Sequence, residues 1–146
     1  MPVSNSKGGH TSFGQLGDKI MIDHISIPVR DLARSISFYE KVLAPLGLRL
    51  MITREATAGF GVKYPEFWLN LRSAFGPLPD GWGCHVALRA PDEEAVRAFH
   101  AAALLHGGRS AGEPGVRGAM MSEYFGAYIL DLDGNKVEAL KVTSTK

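Results

Sequence analysis

The sequence has 146 residues, of which 45% are hydrophobic and 21% charged, and its formal net charge is +1. This length suits one domain, and the composition is that of a globular protein rather than a disordered or fibrous one. Because the chain has no run of like charges, we expect a small-molecule partner and neither nucleic acid nor a membrane surface. Cys84 is the single cysteine, which precludes an intrachain disulfide and fits a cytoplasmic location.

Residues 1–19 are rich in Ser and Gly and lack the continuous apolar stretch of a secretory signal. We expect an N-terminal lead-in there, followed by a single domain over residues 20–146. No later segment approaches the roughly 20 apolar residues that a membrane-spanning helix needs.

The chain contains an internal repeat. The segment HISIPVRD from His24 matches HVALRAPD from His85, with apolar residues one and three positions after the histidine and an acid seven positions after it. The match continues at a constant offset of 61 residues, in the pairs Phe38 and Phe99, Val42 and Ala103, Leu43 and Leu104, and Gly47 and Gly108. This indicates a tandem duplication, with modules at about residues 20–76 and 81–142.

Each copy opens with a strand, at 24–29 and 85–89, in which apolar residues alternate. Asp31 and Asp92 are candidate N-caps for the helices that follow, where apolar residues recur at helical spacing until Gly47 and the Gly107 and Gly108 pair. Pro45 is expected to begin the unwinding of the first helix. The remaining predicted strands cover residues 48–53, 59–64, 67–72, a weak segment near Arg109, 124–131 and 136–142.

The order of elements is therefore β-α-β-β-β, twice. The DGN at 133–135 predicts a tight hairpin turn between the last two strands. We expect an α+β fold in which two tandem modules form a curved mixed sheet around a central cleft.

The repeat also predicts a site. Side chains alternate along a strand, so His24 with Ser26, and His85 in the second copy, should face away from the helices. On the last strand Val137 and Ala139 would pack inward, which leaves Glu138 on the same face as the histidines. Two imidazoles and one carboxylate are the ligands of a facial triad that leaves positions on a divalent ion open to substrate and water.

Each of these residues also has a structural interpretation. A histidine on a strand is often simply hydrogen-bonded, and a glutamate on an edge strand is often solvated. The equivalence of His24 and His85 under the repeat, and the apolar neighbours of Glu138, favour the metal site. His100 and His106 are expected at the surface of the second helix or just after it, and Tyr39 is expected in the core.

The quoted segments, together with YFGAYILDLDGNKVEAL, resemble the vicinal oxygen chelate superfamily, which contains glyoxalases, bleomycin-resistance proteins and extradiol dioxygenases. The resemblance covers about residues 20–142. It implies two modules around a divalent metal ion, a substrate that chelates the ion through two neighbouring oxygens, and a homodimer.

The candidate ligand residues resemble those of some members of the superfamily more than those of others. Glyoxalase I enzymes usually have a fourth ligand, a glutamate, on the fourth strand, where this sequence has Trp68, or Asn70 in another register; Glu66 fits only after a two-residue slip. The three-ligand set His24, His85 and Glu138 is more similar to extradiol dioxygenases and fosfomycin-modifying transferases. An arginine-tyrosine signature expected for those transferases is absent from WGCHVALR.

Two functions follow as hypotheses. The first is a metal-dependent lyase, isomerase or dioxygenase that uses one ion of Zn, Ni, Mn, Fe or Co. Its candidate general bases are Glu138, Tyr124, Tyr128 and Glu123, and its candidate substrate contacts are Ser26, Trp68 and Asn70. The second is a drug- or metabolite-binding protein similar to the bleomycin-sequestering members, in which Trp68, Trp82 and the tyrosines line an apolar trough without catalysis.

Overall fold

The computed structural model describes residues 22–76, 79–83, 85–118 and 122–145, so the predicted lead-in over 1–19 lies outside the described residues. Eight strands and two helices follow one another in the described part: β1 Ile25–Val29, α1 Leu32–Leu43, β2 Arg49–Thr53, β3 Thr57–Gly61, β4 Pro65–Leu71, β5 Val86–Arg89, α2 Glu93–Leu105, β6 Arg109–Gly118, β7 Ser122–Leu130 and β8 Lys136–Thr145. None of these helices is long and apolar enough to cross a membrane.

The strands form two four-stranded sheets with the same internal order, β1-β4-β3-β2 and β5-β8-β7-β6. In each sheet the first and last strands of a module pair in parallel, β1 with β4 and β5 with β8, and the other neighbours are antiparallel. The predicted α+β fold with two β-α-β-β-β modules is confirmed.

Both helices begin where the sequence predicts. The carboxylate of Asp31 accepts a hydrogen bond from Arg34 N at 3.0 Å, and that of Asp92 accepts one from Ala95 N at 2.8 Å. These bonds satisfy amide groups that the first turn of a helix otherwise leaves without partners. After α1 a single 3-10 turn, Ala44–Leu46, contains Pro45 and ends at Gly47, whose φ of 84° is left-handed.

The core lies between the helices and one face of each sheet. The alternation predicted for β1 and β8 is present, because Ile27 and Val29 are buried, Ser26 is exposed, and Val137 and Ala139 are fully buried. The helices contact each other and contribute the central part of the same core cluster, which includes Phe38, Tyr39, Val42, Leu43, Val96, Phe99 and Ala103.

One sequence prediction needs correction here. His100 is buried rather than at the surface, because it lies four residues after Val96 and three before Ala103 on the core-facing stripe of α2. Its Nε2 is hydrogen-bonded to Ser110 Oγ at 2.8 Å. His106, by contrast, is exposed as expected.

The weak strand predicted near Arg109 is present and is ten residues long, as β6. Pro114 is tolerated in it because β6 is the edge strand of its sheet. Two register shifts, between Ser110 and Gly112 and between Gly112 and Gly115, interrupt its alternation and hide it from sequence patterns.

The β7–β8 connection covers residues 131–135 and is organised by the buried carboxylate of Asp131. Asp131 Oδ1 accepts hydrogen bonds from the backbone N of Asp133 and Asn135, at 2.9 and 2.8 Å, and Oδ2 accepts from Asn135 Nδ2 at 2.9 Å. A further donor comes from α1, because Tyr39 Oη donates to Asp131 Oδ2 at 2.7 Å. Burial raises the pKa of Asp131 above its usual value, although these bonds oppose the shift.

Tyr39→Phe tests this link between the modules. The variant removes one donor from a buried carboxylate, so we expect the free energy of unfolding in urea to fall by about 1 to 3 kcal/mol. Tyr64→Phe is the matched control, because Tyr64 is largely exposed and its change should stay within about 0.5 kcal/mol. Equal effects of the two variants would contradict the assigned role of the Tyr39 hydroxyl.

Candidate functional site

The candidate site lies on the helix-free face of the second sheet. The strand register places Glu138 of β8 between Ala87 of β5 and Tyr128 of β7. His85 immediately precedes β5, and Lys136 begins β8 two residues before Glu138. Because side chains two residues apart share a face, the imidazole, the carboxylate, the phenol and the ammonium group meet on one surface.

His85 and Glu138 are brought together as the sequence predicts. His85 Nε2 lies 3.2 Å from Glu138 Oε2. Glu138 is only 2% exposed, and its other oxygen, Oε1, is buried without a hydrogen-bond partner in the part of the chain that the structure describes. A buried carboxylate with a free lone-pair oxygen is costly unless a cation or a donor reaches it.

His24 is on the first sheet and is half exposed. Its Nδ1 donates a hydrogen bond to Asp23 Oδ1 at 2.6 Å, and the imidazole does not hydrogen-bond to His85 or Glu138. Among the described residues, no three His, Cys, Asp or Glu side chains gather closely enough to hold one ion. The chain therefore brings together two of the three predicted ligands.

The first sheet carries a tryptophan where the second carries the glutamate. Ser26 pairs with Trp68 in the same way as its repeat partner Ala87 pairs with Glu138. Trp68 is thus the position equivalent to Glu138. It is also the first of the two residues, Trp68 and Asn70, that the sequence aligns with the fourth-strand ligand of glyoxalase I. Its indole lies over Gly59, where an added Cβ would come within 3.2 Å of the ring.

Tyr128 and Tyr124 lie beside this pair. Their hydroxyl oxygens are 3.3 Å apart, and the Tyr128 ring meets the His85 ring edge-on at 5.7 Å between centroids. Burial, followed by hydrogen bonding to Tyr124 and by the negative charge of the nearby Glu138 carboxylate, raises the pKa of Tyr128 above its usual value of 10.0. In the metal-free chain the Tyr128 phenol is therefore protonated at neutral pH and can donate a hydrogen bond.

Two cations flank Tyr128, and neither was singled out from the sequence. Lys136 Nζ lies 4.7 Å and the Arg117 guanidinium carbon 5.1 Å from the centroid of the Tyr128 ring, on strands to either side of β7. The sequence could have placed Lys136 at the site, because it lies two residues before Glu138 on the same strand and so faces the same side of the sheet. Strand alternation could not have placed Arg117, because it follows the register shifts of β6.

Two glycines leave the room that these side chains need. A Cβ on Gly126 would lie 2.9 Å from the Tyr124 ring and 3.3 Å from Glu138 Oε1. A Cβ on Gly112 would lie 3.0 Å from both Arg117 Nη2 and the Tyr128 ring. The strands can therefore hold aromatic and charged groups tightly against their backbone.

A cleft of about 510 Å³ opens beside His85 and is lined by residues of both modules. Its polar lining includes Ser26, His85 and Lys136, and its apolar lining includes Phe75 and Trp82. Of the predicted substrate contacts, Ser26 lines this cleft. Trp68 and Asn70 share the Ser26 face of the first sheet but do not line it.

Comparisons with known proteins agree with this architecture. Residues 21–139 match the family model described as the Glyoxalase/Bleomycin resistance protein/Dioxygenase superfamily. A glyoxalase/bleomycin resistance protein from Albidiferax ferrireducens T118 is 30% identical, with a TM-score of 0.74 over 82% of this chain and 98% of that one. No curated protein sequence matches the chain.

Two more distant structures show likeness of fold alone. Glyoxalase I from Zea mays is 23% identical, with a TM-score of 0.63 over 82% of this chain and 45% of that one. The fosfomycin resistance protein FosX from Listeria monocytogenes is 17% identical, with a TM-score of 0.58 over 80% of this chain and 88% of that one.

The raised pKa of Tyr128 has a measurable consequence in chelator-treated protein. A group whose folded pKa exceeds its unfolded value stabilises the fold below the unfolded pKa and loses that contribution as pH rises. We therefore expect wild type to lose stability relative to Tyr128→Phe as pH rises above 10, in urea unfolding followed by circular dichroism. A pH-independent difference between the two proteins over this range would contradict the assignment.

Proposed function

Because the chain belongs to the Glyoxalase/Bleomycin resistance protein/Dioxygenase superfamily, we propose that it is a divalent-metal-dependent enzyme acting on a small, oxygen-chelating substrate. One observation carries this proposal. The Glu138 carboxylate is buried beside His85 Nε2, and its Oε1 has no hydrogen-bond partner. A divalent cation is the partner that such a pair fits best, since it would accept both an imidazole nitrogen and a carboxylate oxygen.

His85 and Glu138 would hold the ion, and we propose His24 as the third protein ligand. The support for His24 is its equivalence to His85 under the repeat and its half-exposed position at the start of β1. Zn, Ni, Mn, Fe and Co all suit this donor set. When bound, such an ion supplies Lewis-acid polarisation of a substrate oxygen.

The chain's own residues favour chemistry in which negative charge develops on a substrate oxygen. The protonated Tyr128 phenol can donate a hydrogen bond to that oxygen, and Tyr124 Oη holds the phenol in place from 3.3 Å. Lys136 adds a positive charge on the same face. Proton abstraction would then fall to a carboxylate, for which Glu138 and Glu123 are the candidates. A lyase, an isomerase and a dioxygenase all remain compatible with this assignment of roles.

The alternative function is capture of a small molecule or drug without catalysis, as the bleomycin-resistance part of the family name implies. The observation that favours it is the apolar lining of the cleft, where Phe75 is 51% and Trp82 49% exposed. Metal dependence separates the two functions, because simple capture in such a cleft does not require the His85 and Glu138 pair.

The metal site is tested by Glu138→Gln. Gln keeps the shape and one oxygen but removes the negative charge, so we expect the affinity for the preferred ion to fall by more than about 100-fold, since even outer-shell changes cost 10- to 100-fold. The metal-free melting temperature should be unchanged or higher, because the variant removes a buried charge whose Oε1 has no hydrogen-bond partner among the described residues. Elemental analysis and melting curves measure the two quantities on protein purified without a chelating column.

Glu123→Gln is the matched control, because Glu123 is an exposed carboxylate on β7 and should leave metal content unchanged. His24→Ala, compared with His106→Ala on an exposed histidine, tests the third ligand in the same way. Equal metal content in wild type and Glu138→Gln would overturn the proposal. A loss of metal in Glu138→Gln but not in His24→Ala would overturn only the assignment of His24.

We also propose a homodimer with an isologous interface. The two ligands gathered within one chain leave open positions on the ion, and a second copy could complete the site. Light scattering at micromolar concentration should give twice the mass of the 15.8 kDa chain. A stable monomer would contradict the proposed assembly.

A further inference from the structure

The two cations beside Tyr128 have no acidic partner in the described part of the chain. Arg117 Nη2 donates to the carbonyl oxygen of Glu113 at 2.7 Å, and the buried Arg117 Nε has no acceptor among the described residues. Lys136 contacts the Tyr128 ring and forms no ion pair with a described carboxylate. Glu138, the carboxylate on this face, is already placed against His85.

The face therefore carries more positive than negative charge. Arg117 and Lys136 outweigh Glu138 even before the divalent ion of the proposed function is added. Cations that lack partners near an apolar cleft attract anions, because the low-dielectric walls strengthen the field. An anionic group on the ligand would balance the site.

Lys136 is placed to meet such a group. It lines the 510 Å³ cleft and also a smaller hollow of about 410 Å³, which His85 and the Arg109-paired carboxylate of Asp80 line as well. Arg117 lines neither hollow, and its contact with Tyr128 makes it a positioning residue and a contributor to the field. Lys136 is thus the cation that a ligand in either hollow can reach.

The part of the cleft wall that presents an aromatic side chain is close to Lys136, because a Cβ on Gly81, the residue before Trp82, would lie 3.8 Å from the Lys136 side chain. Trp82 has a left-handed φ of 45°, which non-glycine residues seldom adopt. The loop before it is fastened by a hydrogen bond from Gly81 N to Gly134 O at 2.8 Å and by a bidentate ion pair in which Arg109 donates to Asp80 at 2.9 and 2.7 Å. This anchored loop holds the indole half exposed at the cleft, together with Phe75.

We propose that the ligand of this cleft is an aromatic oxyanion, such as an aryl carboxylate or aryl phosphonate, whose anionic group is bound by Lys136 and whose ring packs on Trp82. The proposal rests on the proposed function for the site and names the substrate class. A carboxylate and a phosphonate share the relevant chemistry, a planar or tetrahedral group of oxygens with negative charge, which an ammonium group recognises through charge-assisted hydrogen bonds.

Isothermal titration calorimetry with benzoate, phenylphosphonate and neutral benzamide tests the proposal on metal-loaded and on chelator-treated protein. Benzoate or phenylphosphonate should bind wild type at least about tenfold more tightly than benzamide. Lys136→Gln should remove this preference, and Lys136→Arg, which keeps the charge, should restore most of it. Lys141→Gln is the matched control, because Lys141 lies on β8 at a position of opposite parity.

Trp82→Ala should weaken binding of all three probes and leave the preference for the anion intact. No measurable binding of either anion to wild type, equal binding of benzoate, phenylphosphonate and benzamide, or an unchanged preference in Lys136→Gln would overturn the proposal.

The metal content of the same samples shows whether the ligand proposal or the proposed function has failed. Lys136→Gln should retain the ion, because the ammonium group is not a ligand. Wild type that holds no ion, yet binds benzoate through Lys136, would overturn the proposed function alone. Wild type that holds the ion but does not distinguish either anion from benzamide would overturn the ligand class alone.

Discussion

The structure depends on one buried carboxylate, that of Asp131, at the point where the two modules meet. It accepts a hydrogen bond from Tyr39 in the first module while it shapes the turn that leads into β8. Asn135 extends the connection, because its Nδ2 also donates to Pro28 O at the end of β1. Since β8 begins directly after this turn, the same network fixes the strand on which Glu138 lies. The position of the site is therefore set by an interaction outside it.

The site itself is defined by an imbalance of charge and hydrogen bonding. A buried Glu138 oxygen lacks a donor, while Arg117 Nε lacks an acceptor and Lys136 forms no ion pair with a described carboxylate. Buried polar groups are normally satisfied, so a free acceptor and free donors on one face indicate ligands of both signs. A divalent cation at Glu138 and an anionic group at Lys136 would give these two side chains partners, whereas Arg117 lines neither hollow. The metal and ligand proposals thus account for different unsatisfied groups of the same surface.

Much of the fold and part of the candidate site could be predicted from the sequence, because the duplication places equivalent residues on equivalent strands. The duplication indicated the fold and both helix caps, and alternation along β8 placed Glu138 on the face that His85 shares. The sequence pattern did not predict the face of Arg117 or the burial of His100. Arg117 follows two register shifts, so alternation could not assign its face, and the burial of His100 requires the packed partner β6 as well as the helical period. The separation of His24 from the pair of His85 and Glu138 depends on the relative placement of the two sheets, which alternation along a strand cannot supply.

The central claim is that His85 and Glu138 hold a divalent ion. Anomalous diffraction from crystals of the protein loaded with zinc or manganese tests it directly, because it locates the ion without reference to activity. We expect a peak at metal-ligand distances of about 2.0 to 2.2 Å from His85 Nε2 and a Glu138 carboxylate oxygen. A fully occupied ion at His100 or His106, with no peak between His85 and Glu138, would contradict it.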